Sequence, residues 1–302
     1  MIHLLALLGV LSISFSAIFV RLAGASPVTA TFYRGAYAVP VLLVIWLAQK
    51  SQDRRGKRER WLAIVSGLLL ALDLNLWHES IALLGAGLGT VIANAQVVFV
   101  AAAAWVLYGE RPTPARVATI AIVLGGVVLT SGLARQDAYG AAPVTGAIVG
   151  MVAAIVYAAF LLVYREANRT PGPRSGPLLD STLGMVAGAL ASAVFDSHFT
   201  FAPGLTASLW LVLLAIGSQV IGWLLIGTAL PKLPVVETSV LLLGQPVFTV
   251  IWGVLLFDER LSALQWAGSA IVLAGVGALS FQRKGRSDGT AETAKTAVSS
   301  ST

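Results

Sequence analysis

The last two apolar stretches of the chain repeat its fourth and fifth at one fixed offset. Gln96 and Phe99 recur as Gln245 and Phe248, Glu110 and Arg111 as Glu259 and Arg260, and the run from Ala121 to Leu124 as Ala270 to Leu273, each pair 149 positions apart. The chain is a tandem duplication. Apolar runs number about ten, so each copy holds about five. An odd number of spans makes the second copy enter the membrane upside down relative to the first, and inverted repeats point to a transporter.

Composition sets the solvent. Of 302 residues, 57% are hydrophobic and 11% charged, against about 25% charged in an ordinary soluble domain. A hydrocarbon core about 30 Å thick needs about 20 apolar residues per helix, and every peptide group inside it must be hydrogen-bonded within the structure. The expected fold is therefore an all-α membrane protein with ten transmembrane helices arranged as two inverted five-helix repeats. Continuous apolarity places helices at 2–22, 27–48, 61–84, 87–108, 114–133, 144–165, 178–195, 206–230, 234–257 and 261–281. The first repeat takes 1–133, the second 134–285, and 286–302 is a polar tail, rich in Ser, Thr and Ala and free of aromatics, expected to be disordered and cytoplasmic. Residues 1–25 look like a secretory signal but lack a basic start and precede many more spans, so they are read as helix one.

The net charge of +6 does not mark a nucleic-acid partner, because the basic residues cluster in short loops. Lys50, Arg54, Arg55, Lys57, Arg58 and Arg60 fill one connection, and Arg111, Arg116, Arg165, Arg169, Arg174, Lys232, Arg283, Lys284, Arg286 and Lys295 fall on the same side. That side is cytoplasmic by the positive-inside rule, with both termini on it. Arg21, Arg34, Arg135 and Arg260 lie toward the other face. With no cysteine, disulfides and thiolate metal or redox sites are excluded. The expected partners are a small-molecule substrate and the lipid bilayer; oligomeric state is left open. No cofactor or metal is expected, and the absence of a GxxxxGK[ST] run argues against ATP as the driving force.

Phe32-Tyr33-Arg34 at the start of helix two, Gly109-Glu110-Arg111-Pro112 and Asp258-Glu259-Arg260-Leu261 at the ends of helices four and nine, and Gln245-Pro246-Val247-Phe248 carry a family resemblance. With ten spans and a duplication, the chain resembles the drug/metabolite transporter superfamily, specifically its ten-helix EamA-type exporters. Among these it looks most similar to bacterial inner-membrane exporters of amino acids, particularly aromatic ones. The resemblance implies export by alternating access through a central cavity between the halves. Helix seven carries no counterpart of Arg34, and Pro246 is matched by Val97, so the halves are expected to move unequally.

Ionisable and polar groups at membrane depth are costly and tend to face the bundle interior. On helix three, at 100° per residue, Asp73, Trp77 and Ser80 share one face, while Asn75, His78 and Glu79 lie opposite. Arg34 sits about 10 Å below the outer end of helix two at 1.5 Å per residue, and Glu79 lies at similar depth. An Arg34–Glu79 pair tying helices two and three is expected, with a direct substrate role as the alternative. Asp73 serves either as a proton site or as a helix-packing carboxylate, and His78 either as a proton carrier or as a solvated wall residue. Gln96 and Gln245 occupy equivalent mid-membrane positions, with Phe99 beside the first and Phe248 and Trp252 beside the second. Tyr157, Gln219 and Trp223 fall at comparable depth. The candidate substrate-binding set is thus Trp77, His78, Gln96, Phe99, Tyr157, Gln219, Trp223, Gln245 and Phe248, with Arg34, Asp73 and Glu79 as coupling or structural charges. For each glutamine, ordinary interhelical hydrogen bonding is the competing role.

Pro246 is a candidate hinge, and Pro40 a second kink. The glycine pairs Gly85/Gly89, Gly146/Gly150 and Gly184/Gly188 are expected to pack helices within the chain, and Trp61, Trp210 and Trp266 to sit at the interfaces.

Other classes leave weaker traces. His78-Glu79-Ser80-Ile81-Ala82 begins like a zinc-protease HExxH motif but has Ala82 where the second histidine must stand. Gly24-Ala25-Ser26-Pro27-Val28 lacks the last glycine of a nucleophile elbow. No catalytic residues and no enzyme activity are expected. A channel would show a ring of charge or a carbonyl filter. Exchange of nucleotide sugars or phosphorylated sugars needs several cations in the cavity, and Arg34 alone lies away from the interfaces, which favours neutral or zwitterionic cargo.

Overall fold

A computed structural model describes residues 2–108, 113–130, 138–229 and 235–282 of the chain. The described residues are helical, without strands, and form ten helices in chain order. Helix α1 is broken, Ile2–Ser14 and Ser16–Ala23, and α2 spans Pro27–Gln49, α3 Lys57–Leu84. Helix α4 is also broken, Ala86–Ala93 and Gln96–Tyr108, and is followed by α5 Pro114–Thr130, α6 Pro143–Ala167 and α7 Ser175–Ala193. Helix α8 runs as Leu205–Leu213, a π-helical stretch Leu214–Gly222, and Trp223–Ala229; α9 is Val235–Phe257 and α10 Ala263–Gln282. Ile2–Ala23, Pro27–Gln52, Lys57–Leu84, Pro143–Ala167 and Leu205–Thr228 are each long and apolar enough to cross a bilayer, and shorter apolar helices accompany them. Large apolar side chains such as Val44, Val106 and Leu255 point outward, as a surface bathed in lipid requires. The Gly109–Pro112 motif and the 286–302 tail lie outside the described residues.

Helix ends follow local chemistry. Ser26 caps α2, its Oγ accepting the Thr29 amide at 3.2 Å, with Pro27 in the first turn where its missing N–H costs nothing. Gly24 ends α1 at φ 56°, in the left-handed region.

Register fixes the direction of each contacting pair. Helices α5 and α10 run antiparallel, because Gly126 faces Gly268 while Gly275 faces Val123. Helices α2 and α7 do the same: Ser175 bonds Gln49 at one end and Ser26 bonds Asp196 at the other. Helices α1 and α8 are antiparallel, Gly9 lying against Ile226 and Gly222 against Ile13. So are α3 and α6, where Gly146 meets Leu83 and Leu84 and Gly150 meets Ser80. By contrast α3 and α7 are parallel, Gly67 facing Ser181 to Met185 and Gly188 facing Leu68 and Ala71. Shifting every helix by five maps this pairing onto itself: α3 with α6 becomes α8 with α1, α3 with α7 becomes α8 with α2, and α2–α7, α4–α9 and α5–α10 map to themselves. That is the pattern of two inverted five-helix repeats.

The glycine pairs pack helices within the chain. The tightest crossing joins α3 and α7, where a methyl on Gly67 would overlap the Ser181 carbonyl oxygen and one on Gly184 the Ile64 carbonyl oxygen. There the two backbones touch directly. Trp61 and Trp266 are exposed, whereas Trp210 is half-buried and stacks on Phe19 with ring centroids 6.2 Å apart.

The two basic connections meet at one end of the bundle. Arg58 and Arg169 both reach Glu166, at 3.5 and 2.9 Å, and Thr170 bonds Glu59 at 3.4 Å. Inside this layer Arg55 is buried: its Nε and Nη2 donate to the two Asp53 oxygens at 2.9 Å and Nη1 meets Asp180 at 2.9 Å. Trp46 Nε1 donates to Asp53 at 2.9 Å. These donors, Arg55 above all, hold the Asp53 carboxyl below the usual carboxylate range.

Candidate substrate cavity

The broken and π-helical segments surround one region. In α4, Asn94 Nδ2 donates to the Thr90 carbonyl at 2.8 Å, and the Ala95 amide reaches only three residues back, to Ile92 at 2.9 Å. A side chain that competes for a backbone acceptor unwinds the helix locally, and the turn at Asn94–Ala95 separates the two halves of α4. Helix α9, by contrast, runs unbroken through Pro246. The equivalent position in α4 is Val97, so the break follows the asparagine rather than the proline.

A cavity of about 310 Å³ opens at this level. From the first repeat come Ser16 on α1, Arg34 on α2, Asp73 and Trp77 on α3, and Thr90, Asn94 and Gln96 on α4. From the second come Tyr157 and Leu161 on α6, Trp223 and Ile226 on α8, and Leu242 and Gln245 on α9. Five of the nine proposed binding residues, Trp77, Gln96, Tyr157, Trp223 and Gln245, thus line one chamber. Gln96 Oε1 is buried there without a hydrogen-bond partner among the described residues. Trp223 is braced edge-on by Phe160 and Tyr164, at 6.0 and 6.1 Å between ring centroids.

The other four stand elsewhere. His78 is buried between α3 and α2, with Nδ1 3.3 Å from both Thr31 Oγ1 and the Pro27 carbonyl oxygen. Phe248 stacks on Trp252 at 6.5 Å, whose Nε1 donates to Ser14 Oγ at 3.1 Å. Phe99 is half-buried, one turn beyond Gln96, outside the lining. Gln219 lies fully buried behind the wall, its Oε1 accepting Arg34 Nε at 2.8 Å and its Nε2 donating to Thr182 at 3.2 Å.

This geometry corrects the expected Arg34–Glu79 pair. Arg34 donates to Gln219 and, through Nη1, to Ser16 Oγ at 2.9 Å. Glu79 is exposed and lines a separate surface groove with Asn75, Asp196 and His198. Depth along the bilayer normal matched the two residues, but azimuth separates them: Glu79 projects from the face of α3 opposite Asp73, away from the chamber that receives Arg34. Ser16, Thr90 and Asn94 escaped the sequence reading because small polar residues in apolar helices carry no period. The Asn94 break was the available signal, since asparagine offers the backbone an alternative hydrogen bond.

The Asp258–Leu261 segment packs at the end of the bundle remote from the basic connections, against the start of α4. The Glu259 side chain has no exposed area. It accepts the Ala86 and Gly87 amides at 2.8 and 3.2 Å, at the N-terminus of α4, and pairs with Arg21. Arg21 in turn donates to Tyr139 Oη at 3.3 Å and lies over the Phe257 ring at 4.1 Å. A carboxylate at a helix start complements the macrodipole and satisfies amides that have no partner within the helix. Gly253 and Gly85 make room for it, since a methyl on either would crowd the Glu259 carboxylate. One residue thereby joins α1, α4, α9 and the α9–α10 connection.

Comparison with known proteins agrees with this architecture. A model of the EamA-like transporter family matches residues 1–132 and 144–281. A protein of Archaeoglobus fulgidus described as an uncharacterized transporter is 27% identical over 271 residues, covering 87% of this chain and 92% of that protein. A second uncharacterized transporter, from Bacillus subtilis, is 24% identical over 245 residues, 78% of each chain. A solved structure described only as a crystal structure of a protein superposes with a TM-score of 0.61 at 20% identity, covering 94% of this chain and 98% of that one, and shows the same fold.

Proposed function

The chain belongs to the EamA-like transporter family, and from that premise we propose that it exports amino acids, aromatic or other neutral ones, and related small metabolites across the inner membrane of a bacterium. Transport proceeds by alternating access, with both termini cytoplasmic. The observation that carries this reading is the chamber at the seam: about 310 Å³, walled by aromatic rings from both repeats, with an equivalent glutamine from each. Ligand pockets run from about 300 to 1,000 Å³, so this one suits a single amino acid and is tight for a nucleotide sugar. A lone arginine offset by a carboxylate disfavours phosphorylated cargo as well.

Alternating access draws on three features. The Glu259 clasp seals the outer end, Asn94 leaves α4 already unwound beside the cargo, and Pro246 deprives the Leu242 carbonyl of its helical partner at the cavity wall. The orientation rests on the basic connections that meet at the end of the bundle remote from Glu259. Counterflow of labelled phenylalanine, tryptophan and leucine into proteoliposomes tests the reading. Saturable uptake dependent on internal amino acid is the expected result, and no uptake of any amino acid against protein-free vesicles overturns it.

A further inference from the structure

We propose, resting on the amino-acid reading above, that Arg34 and Asp73 grip the two ends of the cargo, Arg34 its carboxylate and Asp73 its ammonium, so that only a free zwitterion is carried.

Among the described lining residues these two bear the formal charges. Arg34 is 3% exposed and Asp73 5%. A buried ion pair with a purely structural role brings its partners into contact, because each charge has lost its water. Here the guanidinium is held elsewhere. Nε is bound by Gln219 and Nη1 by Ser16, and Gln219 is itself fixed by Thr182. Nη2 makes no hydrogen bond among the described residues, and neither does the Asp73 carboxylate; the two charges attract one another without being in contact. Two groups lining the chamber therefore keep unused hydrogen-bonding capacity of opposite sign, at a depth where such groups are costly unless matched. An α-amino acid matches both at once and leaves the chamber neutral. Gln96 Oε1, buried and unpartnered at the same wall, is a further acceptor for the ammonium. Trp77, Tyr157 and Trp223 remain for the side chain.

The test is competition in phenylalanine counterflow by phenethylamine, which lacks the carboxylate, and 3-phenylpropanoate, which lacks the ammonium. Each missing charge-assisted contact predicts about ten- to a hundredfold weaker competition than unlabelled phenylalanine. Asp73→Asn is expected to narrow the gap for 3-phenylpropanoate alone, and Arg34→Gln the gap for phenethylamine alone. Ratios taken within one preparation do not depend on how much of a variant folds, and the wild-type panel decides if neither variant folds. Equal competition by all three compounds in the wild type, or parallel loss of discrimination at both ends in each variant, overturns the grip while leaving amino-acid transport standing. Failure of phenylalanine and every other amino acid to move overturns the transport reading itself, and the grip with it.

Discussion

Replacing Glu259 by Gln keeps the volume and one acceptor oxygen but removes the charge. Three contributions go with it: the pair with Arg21, the charge-assisted part of the bonds from the Ala86 and Gly87 amides, and the match to the α4 macrodipole. Arg21 is 32% exposed, so water partly takes over its solvation. A hydrogen bond to a charged group contributes about 1.5–3 kcal/mol against about 1 for a neutral one, and a carboxylate at a partly buried helix start up to about 2 kcal/mol. Their overlap gives a loss of about 2–3 kcal/mol from the clasped state relative to an opened one, a population shift of about 30- to 150-fold. The sequence contains no cysteine, so a single Thr90→Cys reports on the chamber just beneath the clasp, at a site only 2% exposed. Membrane-impermeant maleimide added from the side that carries Glu259 should label it slowly in an otherwise native background and faster with Glu259→Gln, in proportion to the shift until the open state dominates. Melting temperature measured on the same samples separates local opening from global unfolding. An unchanged labelling rate in a normally folded variant would refute the clasp as the outer seal.

Gly67→Ala should lower the melting temperature markedly, by the equivalent of about 1–3 kcal/mol or more, because the added methyl forces α3 and α7 apart. Gly125→Ala, where nothing lies within 4 Å, should be neutral or slightly stabilising by helix propensity, and thermal melts in detergent compare the two. Asp53→Asn should destabilise the layer in which the basic connections meet. Since the native Asp53 carboxyl is depressed, its contribution is fully present above the unfolded value of about 3.9 and fades as pH falls toward the folded one; the gap in melting temperature between wild type and variant should hold from neutral pH to about 5 and shrink below about 4. Trp223→Ala should raise the half-saturating concentration for aromatic cargo about tenfold, the value of one well-packed ring contact, with less effect on leucine.

Most of the fold was legible in the sequence because a bilayer leaves few options: apolar runs of sufficient length become helices, and an odd repeat inverts. Expected boundaries such as 27–48 and 144–165 lie within a few residues of Pro27–Gln49 and Pro143–Ala167. The interior was less legible. Depth can be counted from a helix end, but which way a residue points depends on how helices rotate against their neighbours. Glu79 and Gln219 both stood at suitable depth, yet one faces outward and the other faces the back of Arg34. The π-helical stretch containing Gln219 shifts the angular count further, since it holds more residues per turn than the 100° rule assumes. Phe248 stacks one turn along on Trp252, as the period allows, but Trp252 is turned away from the chamber by its bond to Ser14 on α1, a cross-helix contact that the period of α9 does not reveal.

Both formal charges among the described lining residues of the chamber come from the first copy, while the second supplies Tyr157, Trp223, Gln245 and aliphatic surface. Duplication has thus divided labour between twins that began alike. Under the proposed grip, what every cargo shares is read by one copy, leaving the other freer to drift in size and shape and so to retune which side chain fits without loosening the hold on the rest of the molecule.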